Sequence, residues 1–196
     1  MPKKVDHEAQ KRKIAEAVWR IASRAGLESV TFRQVAAEAR MSTRLVQYYF
    51  GTRDDLLRIS LDILNNSAEE EAKQRIGRQQ DQTPSALLRG VLSELLPADE
   101  SRRIRQLVHV AYFVRAVSDE TFAASLRSTP PLLEHLIAGL IAAGKGNKDA
   151  GPLEMIEAEA LLSLADGLSS RMLLGAYDYR RALELIDWQI GQILKA

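Results

Sequence analysis

Residues 31–57, TFRQVAAEARMSTRLVQYYFGTRDDLL, hold two short amphipathic segments separated by a tight turn and followed at once by a third. Thr31 and Ser42 stand where a side-chain oxygen accepts a backbone N–H at the start of a helix. Between them Val35, Ala36 and Ala39 make one apolar face at helical spacing. The second segment begins at Thr43 and turns Val46 and Phe50 inward, which leaves Thr43, Arg44, Gln47 and Tyr48 outward. That outward set of donors, acceptors and one aromatic gains little from water and suits base edges and phosphates in a major groove. The pattern predicts a helix-turn-helix with Thr43–Phe50 as its reading helix.

Upstream, Lys11 to Ala25 repeats Ile14, Ala17, Val18, Ile21, Ala22 and Ala25 at three and four before Gly26 stops it, a helix that braces the motif. Downstream, Gly51 closes the reading helix and Thr52 caps the next, with Asp54 and Asp55 in a first turn where the helix dipole favours them. That helix continues through Leu56, Leu57, Leu61 and Leu64 toward Ile76. Pro84 and Pro97 bound a helix over 85–96, and further helices are predicted over 100–117, 119–143 (interrupted near Pro130 and Pro131), 153–174 and 179–194. Residues 144–151, GKGNKDAG, read as a flexible loop. The expectation is an all-α chain of about nine helices, with a DNA-binding domain over 1–57 and a larger domain over 58–196.

The 196 residues contain no cysteine, which removes disulfides, thiolate metal sites and cysteine redox chemistry from consideration. Hydrophobic residues make up 46%, yet no apolar run is long enough to span a bilayer, and residues 1–10 lack the apolar segment of a secretory signal. A cytoplasmic protein with no membrane partner is expected. The net charge of +1 is unevenly spread: residues 1–58 hold twelve Lys and Arg against seven Asp and Glu, a surplus of five, so the remainder carries a deficit of four. A basic amino-terminal part on an acidic remainder fits a protein that presents only the former to a polyanion.

The span from Ile14 to Leu57, with IAEAVWRIASRAG, VTFRQVAAEA and MSTRLVQYYFGTRDDLL in order, resembles the TetR family of transcriptional regulators. The resemblance implies a three-helix DNA-binding domain and a helical ligand-binding and dimerisation domain. By the same resemblance Thr31 and Arg33 lie at the start of the first motif helix within reach of DNA, Thr43, Arg44 and Gln47 fall at base-reading positions, and Tyr48, Tyr49 and Arg53 fall at phosphate-contacting ones. Tyr49 has a second reading, as a core residue beside Phe50. Four positions depart from the family pattern. Arg40 and Met41 replace a Gly and a small aliphatic in the turn, so a non-glycine residue must take up a left-handed conformation. Gln47 stands where an aromatic is common, which favours adenine, and Arg53 stands in place of a Lys.

Two apolar seams bear on assembly. Leu161, Leu164 and Leu168 recur in one carboxy-terminal helix, and Leu183, Ile186, Ile190 and Ile193 in the next. They predict either a twofold four-helix bundle between copies or packing inside one chain, and the need to read two half-sites favours the homodimer. The family resemblance further implies a pocket for a small-molecule effector, with His109, Tyr112, Phe113 and Met172 as candidate lining. No cofactor or metal is expected. No HExxH, glycine-rich phosphate loop or GxSxG supports an enzyme. The expected function is a dimeric, sequence-specific regulator, a repressor released from its double-stranded DNA operator by a ligand. The rival is a DNA-binding dimer without an effector.

Overall fold

The computed structural model describes residues 2–127 and 131–195, with the side chains of 2–6 and of Ser125 set aside. Its described residues form ten α-helices and no strand: α1 (Pro2–Ala25), α2 (Phe32–Ala39), α3 (Thr43–Phe50), α4 (Arg53–Gly77), α5 (Pro84–Glu94), α6 (Glu100–Ser118), α7 (Glu120–Arg127), α8 (Leu132–Gly144), α9 (Pro152–Leu173) and α10 (Tyr179–Ile193). A short 3-10 turn, Leu27–Ser29, joins α1 to α2. The first helix starts well before Lys11, in turns that hydrophobic periodicity does not mark because the inward positions His7, Gln10 and Lys11 are polar. The helical stretch expected over 119–143 is interrupted where the prolines fall: α7 ends at Arg127 and α8 begins after Pro131, which has no N–H to continue an earlier helix.

Two compact units emerge, Met1–Glu71 with Leu107–Ala123, and Ala72–Gln106 with Ala124–Ala196. The expected boundary at residues 57 and 58 falls inside α4, and packing draws the division elsewhere. In the first unit Ile14, Val18, Val30, Val35, Val46, Leu56, Leu57 and Val108 are fully buried. Trp19 Nε1 donates to the Ser60 carbonyl at 2.9 Å, tying α1 to α4. The later part of α6 belongs here because the buried Tyr112 hydroxyl donates to the Leu57 carbonyl at 2.7 Å. Burial pushes that phenol above the usual tyrosine range.

The second unit packs α5, α8, α9 and α10 around Leu88, Leu92, Leu96, Ile137, Ile141, Leu161, Ala165, Ile186 and Ile190. This corrects the dimer seams expected from sequence. Leu161, Leu168, Ile186, Ile190 and Ile193 are buried within the chain, and Leu164 and Leu183 are half-buried against the same cluster. The seam spacing is real, but α9 and α10 spend it on one another and on α5 and α8. The loop expected to be flexible is pinned as well. Lys145 Nζ lies 2.8 Å from Glu157 and 3.8 Å from Glu154, and the Asn147 N–H donates to the Ala142 carbonyl at 2.8 Å.

Arg40 ends α2 at φ 56° and ψ 48°, the left-handed conformation that the sequence requires of it. The Met41 N–H then reaches the Ala36 carbonyl at 2.9 Å, closing the helix end. An L side chain strains that conformation by about 1–2 kcal/mol, which glycine avoids at some cost in unfolded-chain entropy. Arg40→Gly is therefore expected to raise stability by about 0.5–1 kcal/mol in a urea melt.

Candidate nucleic-acid interface

The turn between α2 and α3 is built by side-chain caps. Thr31 Oγ1 accepts the Gln34 N–H at 3.2 Å, and Ser42 Oγ accepts the Leu45 N–H at 3.2 Å. Gly51 closes α3 at φ 71°, its N–H donating to the Gln47 carbonyl at 2.8 Å. With both ends set, α3 buries Val46 and Phe50. Thr43, Arg44 and Gln47 are exposed, and Tyr48 is 73% exposed. At 3.6 residues per turn these four occupy about 140° of the helix circumference, one face wide enough to enter a groove. Thr31 and Arg33 are exposed at the start of α2.

The arginines of this unit divide into two sets. Arg20 Nε and Arg24 Nη2 donate to the two carboxylate oxygens of Glu38 at 2.7 and 2.8 Å, holding α1 to α2. Those donors hold the Glu38 carboxyl below its ordinary range. Arg33, Arg40 and Arg44 are exposed, and no ion pair among the described residues occupies them. Cations left unpaired beside a polar helix face are what counterion release rewards.

Arg53, expected at a phosphate, is committed elsewhere. Its Nε donates to the Val30 carbonyl at 2.9 Å and its Nη2 to the Leu27 carbonyl at 2.7 Å, with Glu28 at 3.7 Å. A guanidinium spans two carbonyls where a lysine ammonium makes a point contact, so this position serves as a strut between α4 and the segment before α2. Tyr49 is half-buried, edge-on to Tyr48 with ring centroids 5.4 Å apart, and so stands between the two readings given it.

The candidate ligand residues take separate roles. In the first unit the Tyr112 hydroxyl is spent on the Leu57 carbonyl, His109 Nε2 lies 3.0 Å from Asn65 Oδ1, and Phe113 is 67% exposed. Met172 packs against the core of the second unit. Tyr112 and Phe113 are adjacent in α6 and therefore point about 100° apart, one into the core and one out. Sequence alone did not flag Asp54 as a partner of α6: Arg115 Nη2 donates to Asp54 at 2.7 Å while its guanidinium stacks 4.3 Å above the Phe122 ring.

Residues 14–58 match the sequence profile of bacterial regulatory proteins of the TetR family, and residues 84–195 match that of the C-terminal part of BetI-type transcriptional repressors. The chain belongs to the TetR family of transcriptional regulators. It is similar to the regulator PksA of Bacillus subtilis, 32% identical over 177 residues that cover 89% of this chain and 83% of PksA. It is also similar to the regulator BetI of Burkholderia thailandensis, 27% identical across 99% of this chain and 98% of that one. Among solved structures, a transcriptional regulator from Rhodococcus sp. RHA1 superposes with a TM-score of 0.79 at 28% identity, covering 94% of this chain and 96% of that one. A regulator from Saccharomonospora viridis in complex with choline shares the fold with a TM-score of 0.79 at 19% identity, covering 94% and 96% of the two chains. Membership of TetR makes this chain a DNA-binding regulator and not an enzyme. No described helix is long and apolar enough to cross a membrane.

Two outcomes separate the two sets of arginines. Arg44→Ala is expected to lower DNA affinity by about 1–3 kcal/mol and to relax discrimination at the base it meets, leaving the melting temperature unchanged. Arg53→Ala is expected to lower stability by about 1–2 kcal/mol, since it strips a charged donor from two carbonyls. The Glu38 brace carries a pH signature. Its native carboxyl titrates lower than the unfolded one, so its contribution is present above the unfolded value and is lost as pH falls through the depressed native value. Glu38→Gln should melt below wild type at pH 7, and the gap should close in strong acid.

Proposed function

We propose that this TetR-family chain is a homodimeric, sequence-specific repressor that reads two operator half-sites with α3 and releases them when a small molecule binds its C-terminal domain. The observation that carries the reading is the outward face of α3, where Thr43, Arg44, Gln47 and Tyr48 are exposed together beside the unpaired Arg33. Thr43, Arg44 and Gln47 are assigned to base edges, Tyr48 and Tyr49 to phosphates, and Arg33 to either. Gln47 suits adenine through a bidentate contact. The protein is assigned to the cytoplasm, where its operator lies.

The dimer reading rests on a different face from the one expected. Along α9 the outward positions Leu153, Ile156, Ala160, Ser163, Gly167 and Ser170 follow one another at alternating spacings of three and four, all exposed, with Ile156 at 63%. Leu174, just past the helix end, extends the stripe and is 84% exposed. Packed along α9, α8 leaves Leu132, Leu136, Gly139 and Ala143 outward at the same spacing. Apolar and small residues at coiled-coil spacing favour close antiparallel or crossed packing against an identical pair, and a twofold axis makes the patch its own partner.

Ligand release requires a path to α3. Within the first unit, α6 holds the opening turns of α4 through Arg115 to Asp54 and Tyr112 to the Leu57 carbonyl. Gly51 and Thr52 are all that separates α4 from α3. A ligand that favours one position of α6 by about 1–3 kcal/mol therefore reorients the recognition helix. Choline, bound by the Saccharomonospora neighbour, is not carried over to this chain. At 19% identity that neighbour speaks for the fold alone.

Ile156→Asp is expected to convert the dimer to a monomer in sedimentation analysis and to abolish tight operator binding, while Trp188→Asp, at an exposed α10 position, leaves both intact. A footprint of the wild type should show two symmetric half-sites one helical turn or a multiple apart, about 34–36 Å in the first case. A monomeric wild type with a single asymmetric footprint would sink the dimer reading.

A further inference from the structure

The early turns of α1 lie ahead of the residues that match the family profile, which begin at position 14. They are not a detached tail. His7, Gln10 and Lys11 are half-buried while Glu8, Ala9, Arg12 and Lys13 are exposed, so 7, 10, 11 and the fully buried Ile14 form one continuous inward stripe. Such a stripe is ordinarily apolar; here it is His, Gln and Lys.

The His7 ring lies against the tyrosine pair of α3. Its centroid is 4.5 Å from Tyr49 in an edge-to-face arrangement at 72°, and 6.1 Å from Tyr48. Tyr48 and Tyr49 are themselves edge-to-face at 76°. The three rings form one cluster that starts on α1 and ends on the face of α3 assigned to DNA. Edge-to-face pairs hold ring orientation as well as contact area. Tyr48 is mostly in solvent, so its neighbours in this cluster supply much of what restrains it.

We propose that His7 is a positioning residue for operator binding. Its imidazole fixes the Tyr49 ring, and through it the Tyr48 ring, in the orientation from which their hydroxyls reach the phosphate backbone of double-stranded DNA. The DNA-reading surface of this chain thus begins in the second turn of α1, outside the conserved-profile segment. The inference rests on the assignment of Tyr48 and Tyr49 to phosphates made above. A ring lost at position 7 leaves both tyrosines free to rotate, and the ordering cost then falls on binding.

The test uses the full chain and a duplex that wild type enriches from a randomised DNA pool, with affinity measured by fluorescence anisotropy at several salt concentrations. His7→Ala is expected to weaken binding about tenfold at every salt concentration, with the slope of log affinity against log salt unchanged because the tyrosine contacts carry no charge, and with the melting temperature unchanged. His7→Phe, which restores a ring, should bind within about threefold of wild type. In a Tyr48→Ala/Tyr49→Ala background His7→Ala should cost nothing further, the mark of a residue that acts through the tyrosines. Wild-type affinity in His7→Ala would overturn the inference, as would a loss that His7→Phe fails to recover. If wild type selects no duplex, the functional assignment itself fails; if wild type selects one and Tyr48→Ala/Tyr49→Ala binds it normally, only the role given to the tyrosines, and with it His7, fails.

Discussion

Arg53 grips the carbonyls of Leu27 and Val30, and the rest of the DNA-binding unit is arranged around that grip. It joins the start of α4 to the segment that leads into α2, so the two ends of the helix-turn-helix are held at a fixed separation. Between them α3 has eight residues, fewer than the roughly 12–15 an isolated helix needs in water. Its helicity therefore comes from the scaffold: the Ser42 cap, Gly51 at the other end, and the burial of Val46 and Phe50. A helix supported from behind in this way can leave its entire front polar. The Glu38 pair with Arg20 and Arg24 does the same for α2.

The same economy explains why part of α6 belongs with the DNA-binding helices. Tyr112 and Arg115, three residues apart on one face of α6, engage α4 at Leu57 and Asp54, three residues apart on one face of α4. The matched spacing makes a two-point contact along neighbouring helix faces. Arg115 is held from three sides, by Asp54, by Asp119 and by the Phe122 ring, yet its Nη1 is buried without a partner. A buried donor left unsatisfied raises the energy of this arrangement relative to alternatives.

The helix-turn-helix was legible in the sequence because its signals are local: caps at Thr31 and Ser42, a three-four apolar period, Gly51 at the stop. Even the strained Arg40 was readable, since the turn demands a left-handed residue whatever its identity. Long-range partners were not. The seams of α9 and α10 carry a period that serves a monomer core as well as a dimer, and only the three-dimensional arrangement shows that α5 and α8 take up the space. The outward stripe of α9 escaped notice because Ala160, Ser163 and Gly167 dilute its hydrophobicity. Arg53 read as a phosphate contact from its place in the motif, but its carbonyl partners lie 23 and 26 residues away. The early turns of α1 were missed because a polar inward stripe has no hydrophobic signature. Which way Tyr112 and Phe113 face was not legible either, since adjacent residues on a helix meet different surroundings.

The central claim is that the outward face of α3 reads base sequence. Selection from a randomised DNA pool, run in parallel with wild type and Gln47→Arg, addresses it most directly. The account predicts an enriched inverted repeat for wild type and, for the variant, a change toward guanine confined to one position of each half-site. Enrichment of the same motif by both proteins, or of none by wild type, would contradict it.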